Sequence, residues 1–99
     1  MTGRSTDYDK LQLEELNYNS YLKVPGLLDL QHRRTDPPHH DEMFFIIIHQ
    51  SFELWFKECL HETDRLVFHL QKGGVSRALK IIKRLNAIFE TLTQQIQLL

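Results

Sequence analysis

Apolar residues recur along the second half of the chain at the three-and-four spacing of a helix face. Between Asp41 and Gln71 they fall at 44, 45, 48, 52, 55, 56, 59, 60, 66, 67 and 70, which predicts one long helix. Asp41 and Glu42 stand at its start, where acidic groups favour the positive end of the helix dipole, and Gly73-Gly74 supplies the stop. At ~1.5 Å per residue such a helix is a rod about 45 Å long, beyond the usual globular length. A second helix is predicted over 75–98. There Val75, Leu79, Ile82, Leu85, Phe89, Leu92, Ile96 and Leu99 step by four, three, three, four, three, four and three, close to an a/d seam. Ile81, Ile88 and Leu98 widen that stripe, as in a helix of a bundle. Joined by a Gly-Gly turn, the two helices predict an antiparallel hairpin whose apolar stripes are too wide for the pair to cover.

Residues 1–36 lack this regularity and read as an arm with one short helix. Their Leu and Tyr residues come at mixed spacings, Pro25 and Gly26 interrupt any regular element, and 27–32 has room for nearly two helical turns. An arm this rich in Leu and Tyr must pack against something. The fold class expected is all-α: an N-terminal arm (1–36) followed by a long helical hairpin within 37–99 (41–71 and 75–98), part of a larger helical bundle.

Composition narrows the functional classes. With 99 residues there is room for one small domain, and 41% hydrophobic content is too high for a disordered chain. A net charge of −1 offers no field for nucleic acid or an anionic membrane, so neither is expected as a partner. Lys72, Arg77, Lys80, Lys83 and Arg84 are spread at helical spacing and read as a solvated face, with an anion site as the lesser alternative. The single cysteine, Cys59, cannot build a disulfide framework and reads as a core residue. Met1 to Lys10 is polar and unlike a secretory signal, and the longest apolar run, Met43 to Ile48, is too short to span a bilayer. A soluble cytoplasmic protein is expected.

Six histidines invite a search for chemistry. His61-Glu62 begins like the zinc-protease motif H-E-x-x-H, but Arg65 stands where the second ligand belongs. His39-His40-Asp41-Glu42 groups four possible ligands that cannot all face one ion from a helix start, so capping is expected of them. His49 is different in kind. On a helix it shares one side with Phe45, Phe52 and Phe56. Two readings remain open from the residues alone: a core histidine bonded to a neighbour, or a neutral imidazole facing a flat apolar ligand.

The run from His40 to Lys57, HDEMFFIIIHQSFELWFK, resembles the signature of the tryptophan 2,3-dioxygenases, H-D-E-x-x-F-I-x-x-H-Q-x-x-E-L-W-F-K. Upstream, Tyr18, Tyr21 and Leu22 match the family's Y-x-x-Y-L arm, and the resemblance extends over about residues 15–99. It implies an enzyme that opens the indole ring of L-tryptophan with O2 to give N-formylkynurenine, the first step of the kynurenine pathway, on haem b. By resemblance His49 is the catalytic residue on the distal face, hydrogen-bonding the indole N–H, and Phe45 lines the pocket against haem and indole. Tyr18, Tyr21 and Leu22 would reach the active site of a neighbouring subunit, in a homotetramer that exchanges its arms. The haem-ligating histidine and the arginine that pairs with the substrate carboxylate are expected beyond Leu99, so no metal ligand is expected in this chain. One departure is Ile96, where the family often has an aromatic residue. The resemblance therefore implies an incomplete haem-dioxygenase domain holding the distal substrate side. The alternative is a truncated, catalytically inactive relative that serves as a helical oligomerisation module.

Overall fold

The structure is a computed structural model in which residues 17–99 are described; the chain divides into two units, Met1–His32 and Arg33–Leu99. In the first unit Asn17 opens a short helix, α1 (Tyr18–Leu22). Its side chain accepts the Ser20 N–H at 2.9 Å while the Ser20 hydroxyl accepts the Asn17 N–H at 3.1 Å, a reciprocal capping box. Lys23, with φ of 55°, turns the chain directly into α2 (Val24–Leu27). Pro25 and Gly26 thus lie inside a helical turn and do not interrupt one. Proline is tolerated in a first turn, where its missing N–H would have had no helical acceptor. The expected turns over 27–32 do not form. The Leu27 carbonyl is taken by the Gln31 side chain at 2.9 Å and by the Leu30 N–H, and the backbone leaves the helix.

The second unit is a helical hairpin. Its first helix, α3 (His40–Gln71), has 32 residues and its second, α4 (Val75–Ile96), has 22. The cluster at the start of α3 does not cap the helix with a side chain, as expected of it, but ties down the loop before it. His39 is the N-cap residue without using its side chain, while the Glu42 carboxylate reaches back to the Arg34 and Thr35 amides and to the Thr35 hydroxyl at 2.7 Å. The Thr35 hydroxyl in turn accepts the His39 N–H at 2.9 Å. These bonds to the ionised form hold the Glu42 carboxyl below its ordinary pKa, the Arg34 amide contributing most.

The far end of α3 closes as a Schellman motif. Gly74 N–H bonds the His69 carbonyl at 2.8 Å and Gly73 N–H bonds the Leu70 carbonyl, with Gly73 at φ +74°. This reversal lays α4 back along α3. The buried row on α3 is Ile48, Glu62 and His69, with Trp55 half-buried, all seven residues apart. The row it meets on α4 is Ala78, Ile81, Leu85, Ile88 and Leu92, stepping three, four, three, four.

That row corrects the expected seam. Val75, Leu79, Ile82, Phe89 and Ile96 point away from α3, with Leu79 52% and Phe89 54% exposed. Of the expected seam only Leu85 and Leu92 face α3, and the residues read as widening the stripe, Ile81 and Ile88, are its centre. The reason is that α4 carries two apolar rows side by side, and periodicity alone does not say which meets the first partner. Among the described residues no strand forms, and no helix is long and apolar enough to cross a membrane. The all-α expectation holds.

Candidate functional site

Phe45, His49, Phe52 and Phe56 form a column of rings on α3. Phe45 and His49 lie with ring centres 4.2 Å apart and tilted by 32°; His49 and Phe52 meet edge-on at 6.0 Å; Phe52 and Phe56 are 6.5 Å apart. The helix makes this column because steps of four, three and four residues return to the same side. Phe45 is 58% exposed, and His49 is exposed as well. Within this hairpin, then, His49 is not a core histidine.

The imidazole is nonetheless held. His49 Nδ1 lies 2.7 Å from the Phe45 carbonyl oxygen, which can only accept, so Nδ1 carries the proton in that bond. In the neutral ring the other nitrogen, Nε2, is then an acceptor. An exposed apolar ledge with one fixed acceptor can take a flat ligand that offers a single N–H donor.

The other expected site residues belong to the first unit. Tyr18, Tyr21 and Leu22 share α1 in the first unit, all exposed, with Tyr18 at 74%. Phe45 and His49 share α3 in the second unit, one helical turn apart.

A polar cluster in the hairpin seam was missed. Glu62 is buried and pairs with Arg84 across the seam at 3.1 Å, while the Arg84 side chain itself stays mostly exposed, on the solvated face its spacing predicts. Burial, and then the neighbouring Glu62, push the Glu58 carboxyl above its ordinary pKa. Further along, His69 is buried and its pKa is lowered, first by burial and then by the charges of Arg65 and Arg77. A signal for this cluster did exist in the sequence: 62 and 69 continue the heptad spacing of Ile48 and Trp55, so polar residues stand at core positions. Cys59 is a free thiol, half-buried beside the seam. Among the described residues no group of three or more His, Cys, Asp or Glu side chains could hold a metal ion.

Comparison with known proteins gives this geometry its context. The family model described as tryptophan 2,3-dioxygenase matches residues 4–99. The chain belongs to the tryptophan 2,3-dioxygenase family. Tryptophan 2,3-dioxygenase of Herpetosiphon aurantiacus is 44% identical over 86 residues, covering 87% of this chain and 33% of that protein. The enzyme of Saccharopolyspora erythraea is 46% identical over 81 residues, 82% of this chain and 29% of its own length. That of Xanthomonas campestris pv. campestris is 41% identical over 80 residues, 81% of this chain and 27% of its own. The chain thus spans about a third of the length of the curated tryptophan 2,3-dioxygenases it matches. Both the ring column with His49 and the α1 tyrosines fall inside the span of residues matched by the family.

Proposed function

We propose that this chain supplies the distal, substrate-facing side of a haem-dependent dioxygenase that converts L-tryptophan and O2 to N-formylkynurenine. The observation that carries this reading is the 2.7 Å bond from His49 Nδ1 to the Phe45 carbonyl, which leaves Nε2 to accept an indole N–H beside an exposed phenylalanine. Phe45 offers a flat apolar surface for one side of an aromatic ligand. His49 orients the indole and acts as no strong base, because an indole N–H is too weak an acid for a neutral imidazole to deprotonate outright.

The residues present fit one face of haem b: a column of flat rings, with Phe45 and Phe56 exposed, and an imidazole anchored through Nδ1 to a backbone carbonyl. Phe45 and His49 would line that face. When bound, haem b supplies the oxygen chemistry that inserts both atoms of O2 across the indole C2–C3 bond, and the protein supplies orientation and a dry pocket. Tyr18, Tyr21 and Leu22 would complete the pocket of a neighbouring subunit in a tetramer, and the setting would be cytoplasmic.

His49→Ala in the haem-loaded protein tests the assignment. The expected result is weakened tryptophan binding and turnover with the haem content unchanged. Loss of haem with tryptophan affinity intact would put His49 on the wrong face and overturn the reading. The alternative, a haem-free helical interaction module, draws on the outward apolar row of α4 and requires a colourless protein that ignores tryptophan.

A further inference from the structure

Helix α3 begins with a carboxylate that does not serve the helix. Glu42 is the third helical residue after the N-cap His39, the position from which a glutamate ordinarily reaches back to the N-cap amide. Here the Thr35 hydroxyl accepts the His39 N–H at 2.9 Å, so that task is already filled. The Glu42 carboxylate turns instead to the loop at 33–39. One oxygen accepts the Arg34 N–H at 2.8 Å; the other accepts the Thr35 N–H at 3.2 Å and the Thr35 hydroxyl at 2.7 Å. Both oxygens are committed to two consecutive residues of one loop. The same bonds favour the ionised carboxylate, and bonds to an ionised acceptor are stronger than neutral ones.

The place of this latch on the helix gives it a role. Glu42, Phe45, His49, Phe52 and Phe56 step by three, four, three and four, one continuous row of α3. Glu42 is the member of that row before Phe45, and the loop it holds stands at the row's N-terminal end. A helical side chain leans toward the N-terminus and covers the turn before its own Cα. The ring pair shows this lean, with His49 Nδ1 2.7 Å from the Phe45 carbonyl oxygen and the two ring centres 4.2 Å apart. By the same lean, the Phe45 ring is directed toward Glu42. Phe45 is 58% exposed, so without support its ring would exchange between rotamers. On one side it meets His49; on the other, the row continues to Glu42 and the loop.

We propose that Glu42 is a positioning residue of the substrate side. By holding the Arg34–Thr35 backbone against the start of α3, it makes the 33–39 loop an end wall of the ring column. That wall limits how far Phe45 can swing away from a bound indole. The inference rests on the reading of the column as the face that takes L-tryptophan. Glu42 acts through the loop and Phe45, without touching the substrate itself. Helix capping does not account for the arrangement, because Thr35 supplies that bond and Glu42 reaches past it. Thr35 is the second part of the latch, since its hydroxyl donates to Glu42 and accepts from His39. A serine in its place keeps both bonds, and a valine keeps neither.

The test follows L-tryptophan binding to the haem-loaded protein by the Soret shift. Amide hydrogen exchange across 33–39 is measured alongside by mass spectrometry, with and without L-tryptophan. In the parent, tryptophan is expected to slow exchange in this segment. Glu42→Gln replaces one of the two acceptor oxygens by an NH2 donor. It is expected to speed exchange across 33–39 and to raise the tryptophan dissociation constant about fivefold or more, with haem content unchanged. Thr35→Val is expected to do the same, and Thr35→Ser to bind tryptophan like the parent. Gly73→Ala strains the turn at the far end of α3 and serves as the control: a lower melting temperature with parental tryptophan affinity. Faster exchange in Glu42→Gln with unchanged tryptophan affinity would make the latch a device of stability alone and overturn the proposal. So would a 33–39 segment whose exchange tryptophan leaves unaltered. A parent with no Soret response to tryptophan would overturn the reading of the column and this inference with it. A parent that responds beside a Glu42→Gln that responds equally would overturn the latch alone.

Discussion

Replacing Ile88 by Ala tests which apolar row of α4 closes the hairpin. Ile88 is 5% exposed in the row that meets α3, so its truncation removes buried methyl groups and leaves a cavity. Such changes cost about 2–5 kcal/mol. For a chain of this size each kcal/mol moves the melting temperature by roughly 4–8 °C, so even the lower bound lowers it by about 8–16 °C. Leu79, in the outward row, is 52% exposed and leaves no enclosed cavity. Full burial of a leucine is worth about 1.5–3 kcal/mol, and half of that puts Leu79→Ala near 1 kcal/mol. Thermal and urea unfolding followed by circular dichroism would compare the two variants over a dilution series. Any assembly across the outward row then reveals itself as concentration dependence. Leu79→Ala costing as much as Ile88→Ala in the dilute limit would refute the seam assignment.

Two further substitutions probe the turn and the polar seam. Gly73→Ala should cost about 1–2 kcal/mol, because an L side chain at φ +74° is strained. Gly74→Ala should cost less, since its Cβ would meet only His69 atoms at 3.5–3.6 Å; equal melting temperatures for the two variants would contradict this. The Glu58 carboxyl is held above its ordinary value of 4.5, by burial first and then by Glu62, so the folded state binds its proton more tightly than the unfolded chain does. Its contribution is therefore present in acid and lost as pH rises through the raised value. Glu58→Gln should be more stable than the parent at neutral pH and should flatten the stability profile above 4.5; a steeper profile would count against the pairing with Glu62.

Much of this architecture was legible in the sequence, and the misreadings share one cause. The ends of the long helix were readable because Asp41, Glu42 and Gly73-Gly74 act locally, through the dipole and through a left-handed turn. The Phe45–His49–Phe52–Phe56 column was readable because it needs only helical spacing. The choice of seam was not, because it depends on how close two backbones can come. Ala78 sits in the seam near the turn, and it is small where the bulkier Val75 and Leu79 face outward. The failure of 27–32 to form a helix was hidden for a similar reason: a Gln31 side chain competes with backbone for one carbonyl. Glu62 and His69 could have been flagged by their heptad positions, but Arg84, which pairs with Glu62, and Arg77, whose charge acts on His69, come close only once the hairpin has formed. The His49 tautomer, the detail on which the chemistry turns, needs the carbonyl of Phe45 in place.

The most direct test of the central claim is the absorbance spectrum of the purified native protein before and after adding L-tryptophan, read beside its native mass. The account predicts a haem Soret band that shifts on tryptophan addition, in an oligomer, with the shift lost and the band kept in His49→Ala. A colourless protein, or a Soret band indifferent to tryptophan, would contradict it.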